Sequence, residues 1–125
     1  MSKNLIIKKC NCCGALVEII EACECENCYI SCCGNNMETL TPKTEDKSGL
    51  HIPMYKKVEE QIYVSFLHNQ QESHRIMWVA FVNDEKIGKK FFLTLNRPEV
   101  YFPYVKGACL YAYCNKDGLY KVTVE

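Results

Sequence analysis

One knuckle, Cys10-Asn11-Cys12-Cys13-Gly14, and the crowd of cysteines that follows it constrain this chain more than any other feature. Eight of its ten cysteines lie between Cys10 and Cys33. Dense cysteine has two physical uses: disulfide staples in an oxidising compartment, or thiolates gathered round a metal in a reducing one. The first nine residues hold too short an apolar stretch for an export signal, so a cytoplasmic setting and a metal are expected. With 48% hydrophobic residues the chain also has material for a packed core and less need of staples. The metal reading leads.

Spacing then selects ligands. Cys10 and Cys13 form a C-x-x-C pair whose tight turn aims two sulfurs at one centre, and Gly14 can take the positive φ that such turns require. Two candidates complete the tetrahedron: Cys25-x-x-Cys28, which with the first pair reads as a zinc ribbon, and the adjacent pair Cys32-Cys33, followed by Gly34. Spacing alone favours Cys25 and Cys28, because neighbouring cysteines usually point apart. For Cys12, Cys23, Cys25 and Cys28 taken singly, a free thiol with no role is the bland alternative.

From Thr39 to Gly49 the chain turns polar, which reads as a linker or mobile surface loop and as the domain boundary. Short strands are expected over 5–8 and 15–20, flanking the first knuckle. Beyond the polar segment, Gln61 to Leu67 alternates, with Ile62, Val64 and Phe66 on one face. Ile76 to Val82 is almost wholly apolar, as in a central strand. Lys89 to Leu95 puts Phe91, Leu93 and Leu95 in phase, and 100–104, 108–114 and 119–124 add three more strands. Strands at roughly ten-residue intervals without helical periodicity predict a β-sandwich of ~80 residues. No apolar run approaches the ~20 residues that span a bilayer. The formal charge of zero gives no electrostatic case for nucleic acid or a membrane surface.

All three histidines lie in the second half, none inside a strand: His51 in Leu50-His51-Ile52-Pro53, and His68 and His74 at either end of an H-x5-H spacing. Cys114 ends a strand in Tyr113-Cys114-Asn115. These four ligands could converge at one tip of a sandwich, or be unrelated. Cys109 is set apart by parity, since in a regular strand it faces away from Cys114.

Together these motifs make the chain resemble the desulfoferrodoxin, or two-domain superoxide reductase, family over nearly its whole length. The resemblance rests on Lys9-Cys10-x-x-Cys13-Gly14, Cys32-Cys33-Gly34 with Met37, His51-Ile52-Pro53, the His68/His74 spacing and Tyr113-Cys114-Asn115. It implies an all-β chain: a small desulforedoxin-like four-cysteine iron domain over residues 1–38, then an immunoglobulin-like β-sandwich over residues 39–125. It also implies that Cys10, Cys13, Cys32 and Cys33 bind one iron, with zinc as a substitute, which overturns the spacing preference for Cys25 and Cys28. A second iron would take His51, His68 and His74 as equatorial ligands and Cys114 as the axial thiolate. The implied activity is reduction of superoxide to hydrogen peroxide. The implied partners are superoxide, an external electron donor such as a rubredoxin, and a second copy in a homodimer.

Three departures from the family pattern matter. The fourth equatorial histidine belongs three residues after the cysteine, where this chain has Asp117 and no further histidine. Asp117 reads either as a carboxylate ligand or as the turn residue before Gly118, with the turn slightly preferred. The acidic residue and lysine expected before His51 are replaced by Gly49 and Leu50, leaving Glu45 and Lys47 nearby in the polar segment. The stretch between Cys13 and Cys32 is also long and carries Cys23, Cys25 and Cys28. The competing functions are therefore a superoxide reductase-like enzyme, weakened by loss of a ligand; a non-catalytic electron carrier or redox sensor using only the four-cysteine iron; and a zinc-binding interaction module.

Overall fold

The computed structural model describes residues 4–25 and 29–125, and within them the chain is all-β. Among the described residues no helix is long and apolar enough to cross a membrane. The described residues divide into two compact units, Asn4–Thr41 and Pro42–Glu125.

The first unit holds β1 (Ile6–Lys9), β2 (Leu16–Ile19), β3 (Ser31–Cys32), β4 (Asn35–Asn36) and β5 (Glu38–Thr39). Strand β1 is the centre of an antiparallel sheet ordered β2-β1-β5. β3 and β4 form a separate hairpin in which Cys32 faces Asn35. The residues between them, Cys33 and Gly34, have φ of 55° and 78°, so both central positions of this two-residue turn are left-handed. The apolar side chains buried here are few: Leu5, Ile7, Cys10 and Met37.

The second unit is an immunoglobulin-like sandwich built from β6 (Met54–Val58), β7 (Gln61–Ser65), β8 (Ile76–Val82), β9 (Ile87–Phe91), β10 (Glu99–Pro103), β11 (Cys109–Cys114) and β12 (Gly118–Thr123). One antiparallel sheet runs β10-β7-β6 and the other β12-β11-β8-β9. Between them lie Ile62, Val64 and Phe66, against Ile76, Val79, Phe81, Leu110, Ala112 and Cys114. Burying each of the larger side chains contributes on the order of 1.5–3 kcal/mol, which accounts for the alternation read along 61–67. β8 lies between β11 and β9, and all of its residues but Met77 are buried.

Three local expectations change. The strand read over 89–95 is Ile87–Phe91 instead. Phe92 enters the core, while Phe91, Leu93 and Leu95 are exposed. Its backbone N–H is held by the carbonyl of Met77, the residue skipped where β11 changes register on β8. Strand β6 had no sequence signal because Met54-Tyr55-Lys56-Lys57-Val58 is an edge strand with charge on it, the usual defence of a sheet edge. The polar segment from Thr39 to Gly49 is no loose linker. Thr39 belongs to β5, and Lys43 makes a parallel bridge to Tyr120, donating to the Leu119 carbonyl and accepting from the Lys121 amide.

Candidate metal centres

In the first unit, one ligand atom each from Cys10, Cys13, Cys32 and Cys33 lies within 4.8 Å of the others. The Cys13 sulfur is 3.7 Å from that of Cys32, and Cys32 and Cys33 sulfurs are 3.8 Å apart. The first knuckle is closed by the Gly14 amide on the Cys10 carbonyl at 2.8 Å and by the Cys10 amide on the Ala15 carbonyl at 2.9 Å. The second owes its shape to the left-handed Cys33, which turns two adjacent side chains toward one point. A non-glycine residue in that conformation costs about 1–2 kcal/mol. That twist is why the rule that neighbouring cysteines diverge does not apply here. Cys25 is exposed and outside this cluster, and Cys28 lies outside the described residues. Cys23 is disulfide-bonded, contrary to its reading as a free thiol, while Cys12 is an exposed free thiol.

The four sulfurs are electrostatically unequal. The Cys13 amide donates to Cys10 and, against the opposing effect of burial, brings its thiol down to about 6. Cys33, hydrogen-bonded first to Cys13 and then to Cys32, is pushed up to about 12. Four thiols this close cannot all ionise unaided, and a cation among them removes the conflict. The donor set suits a tetrahedral thiolate-bound metal.

The second cluster stands at one end of the sandwich. His51 precedes β6, His68 follows β7, His74 precedes β8, and Cys114 ends β11. The registers place Met54 beside Ser65 and Cys114 beside both Ile76 and Gly118, so these strand ends share one edge in each sheet. One ligand atom from each of His51, His68, His74 and Cys114 lies within 4.8 Å of the rest. The ring centroids are 5.0 Å apart for His51 and His68, 4.7 Å for His68 and His74, and 5.9 Å for His51 and His74. Cys109 points elsewhere, toward Thr123.

Asp117 occupies the turn between β11 and β12, and its carboxylate also faces the cluster. Oδ2 is 2.8 Å from His74 Nε2, 2.8 Å from His51 Nε2 and 3.5 Å from the Cys114 sulfur. The His51 contact is close but off the line of a hydrogen bond, which leaves Nε2 of His51, like Nδ1 of His68, buried without a hydrogen-bond partner. Two orphaned imidazole nitrogens beside a buried thiol are what a metal would satisfy. Burial, helped by the neighbouring imidazoles, holds His68 below the usual histidine range, hence neutral and able to ligate. Burial pushes the Cys114 thiol up, partly offset by the amides of Lys116 and Asp117. For Asp117 burial acts upward, but the bonds to His74 and Cys114 outweigh it and hold the carboxyl down.

Residues that sequence reasoning did not single out complete the setting. Asp46 accepts from His51 Nδ1 at 2.7 Å, and the Tyr120 ring stacks on the His51 ring at 5.1 Å. Lys43 donates from Nζ to the Asp117 carbonyl at 2.6 Å and lies over the Tyr120 ring. Asp46-Lys47-Ser48-Gly49 carried a turn signal that marked a loop and said nothing of what the carboxylate would face.

The fold and the two donor clusters define an all-β protein with two sets of side chains, one of four cysteines and one of three histidines and a cysteine, each able to hold a metal ion. The Desulfoferrodoxin family model matches residues 41–123, and the chain belongs to that family. A desulfoferrodoxin of Syntrophotalea carbinolica is 30% identical over 125 residues, which cover 96% of this chain and 97% of that one. A desulfoferrodoxin homolog of Archaeoglobus fulgidus is 28% identical over 97% of this chain and 98% of that one. Among solved structures, the superoxide reductase from Treponema pallidum shares the fold, with a TM-score of 0.75 at 20% identity over 96% of this chain and 98% of that one.

Proposed function

We propose that the chain is a non-haem iron oxidoreductase that reduces superoxide to hydrogen peroxide at the His51, His68, His74 and Cys114 cluster. The observation that carries this is the meeting of three imidazoles and one buried thiol within 4.8 Å at the end of a sandwich. Iron bound there supplies the single electron that superoxide takes up, the two protons of the product coming from solvent. Cys10, Cys13, Cys32 and Cys33 would hold a second iron, which would supply an electron-transfer centre, and zinc could occupy the same thiolate set without that redox chemistry.

The residues divide the labour by exposure. His51 and Cys114 form the closed floor, with side-chain exposure of 8% for His51 and residue exposure of 0% for Cys114. His74 and Asp117 form the rim at 40% and 39%, where a small anion and water can enter. Asp117 stands as the carboxylate donor in place of a fourth imidazole. Its added negative charge is partly countered by Lys43 on its own backbone carbonyl. A rubredoxin-type donor, a homodimeric assembly and a cytoplasmic setting fit this reading.

A second reading has its own support. Asp117 Oδ2 hydrogen-bonds His74 Nε2 at 2.8 Å and stands 2.8 Å from His51 Nε2, where its charge would pair with a protonated imidazole in place of a metal. The chain would then be an electron carrier or redox sensor working through the four-cysteine iron alone. Rapid mixing of the reduced, iron-loaded protein with superoxide separates the two. Enzymatic turnover predicts loss of superoxide with peroxide formed and no dioxygen; a sensor predicts decay at the rate of buffer.

A further inference from the structure

The segment before His51 is wound round a single carboxylate. Asp46 Oδ2 accepts from the His51 backbone amide at 2.9 Å and from His51 Nδ1 at 2.7 Å. Oδ1 accepts from the Ser48 amide at 3.2 Å and from the Ser48 hydroxyl at 2.8 Å. The Asp46 carbonyl takes the Gly49 amide at 3.0 Å, at a glycine whose φ of 70° only a left-handed residue supplies. The Asp46 side chain is only 11% exposed.

An ionised carboxylate can only accept, so the nitrogen facing it must carry the proton. A neutral His51 is thereby fixed as the Nδ1–H tautomer, with the lone pair on Nε2. That nitrogen makes no hydrogen bond at the cluster, Asp117 Oδ2 standing 2.8 Å from it but off the donor line, whereas Nδ1 is hydrogen-bonded to Asp46. The Tyr120 ring, 12° from parallel with the imidazole, blocks rotation from one side.

We infer that Asp46 is a positioning residue for the histidine–cysteine site, locking the tautomer and direction of His51 so that Nε2 is presented as a ready-made ligand. The inference rests on the reading of that cluster as a metal site. It adds a carboxylate outside the donor set, drawn from a segment whose sequence reads as a linker. Carboxylate–imidazole pairs of this kind raise the basicity of the ligating nitrogen, and losing such a partner typically costs 10–100-fold in metal affinity.

The test uses the full-length protein, Asp46→Ala and Asp46→Asn, with Co(II) as the probe. Nitrogen-15 NMR of the metal-free protein reads the His51 tautomer directly. The wild type is expected to hold a proton on Nδ1, facing Asp46, and Asp46→Ala to lose it in favour of Nε2–H, which faces Asp117 Oδ2 at 2.8 Å. Competition binding is expected to show a loss of roughly 10–100-fold for Asp46→Ala at the Cys114-linked site. Asn keeps an acceptor oxygen and is expected to lose less, which supplies the comparison if the alanine variant does not fold. Wild-type tautomer and wild-type Co(II) affinity in the variants would overturn the inference while leaving the metal site standing. Failure of the wild type to bind Co(II) through Cys114 would sink the metal reading instead, and the tautomer measurement would still decide the role of Asp46.

Discussion

Gln70 and Ile76 close on each other through both hydrogen-bonding edges of the glutamine amide. Gln70 Nε2 donates to the Ile76 carbonyl at 3.0 Å, and the Ile76 amide donates to Gln70 Oε1 at 2.8 Å. Inside this ring, Gln71 and His74 exchange backbone bonds at 3.0 and 3.1 Å. The H-x5-H spacing is thus a closed loop, and its geometry sets how far His68 stands from His74. Gln70→Leu is expected to leave the Ile76 amide and carbonyl unpaired at a cost of about 1–3 kcal/mol each. Denaturant unfolding should show that loss, and metal binding at the histidine cluster should weaken with it. Unchanged stability would mean the ring is incidental.

Asp117 offers the sharpest substitution. Asp117→Ala is expected to lower metal affinity at the histidine–cysteine site by at least roughly tenfold, the loss typical of even an outer partner of a metal ligand. Asp117→His replaces a negative donor by a neutral one and should raise the reduction potential of the bound iron while keeping the Cys114 thiolate-to-metal band. Potentiometric titration followed in the visible reads both. A potential and affinity unmoved by either change would place Asp117 outside the ligand set and return it to its turn.

Metal removal should affect the two units differently. Asn4–Thr41 buries only Leu5, Ile7, Cys10 and Met37 among its described apolar side chains. A unit of that size normally needs a metal or disulfides to fold. The sandwich keeps its own core of Ile62, Val64, Phe66, Val79, Phe81 and Leu110. After strong chelation, limited proteolysis is expected to cut within the first unit while Pro42–Glu125 survives as a resistant fragment.

Much of this was legible in the chain. The alternation along 61–67, the apolar run at 76–82 and the first cysteine knuckle, Cys10 with Cys13, each impose their structure locally, so pattern alone conveys them. The resemblance to the family paired Cys32 and Cys33 against the spacing rule, and the reason lies in a positive φ at Cys33 that no composition reveals. β6 was silent because an edge strand trades hydrophobic alternation for charge. Asp46, Gln70 and Tyr120 were missed because their roles depend on what they face after folding. The carboxylate of Asp117 likewise looked like a turn residue because it is one, and its second role needs the histidines brought in from far along the chain.

The histidine–cysteine cluster is proposed as a working metal site in addition to the four-cysteine one. Metal content per chain, measured with the absorption spectrum of the wild type and of Cys114→Ser after iron loading, tests it most directly. About two irons per chain are expected, one for each donor cluster, with a thiolate-to-metal band that disappears in Cys114→Ser while the four-cysteine bands remain. A single iron per chain, with a spectrum that Cys114→Ser leaves unchanged, would contradict it.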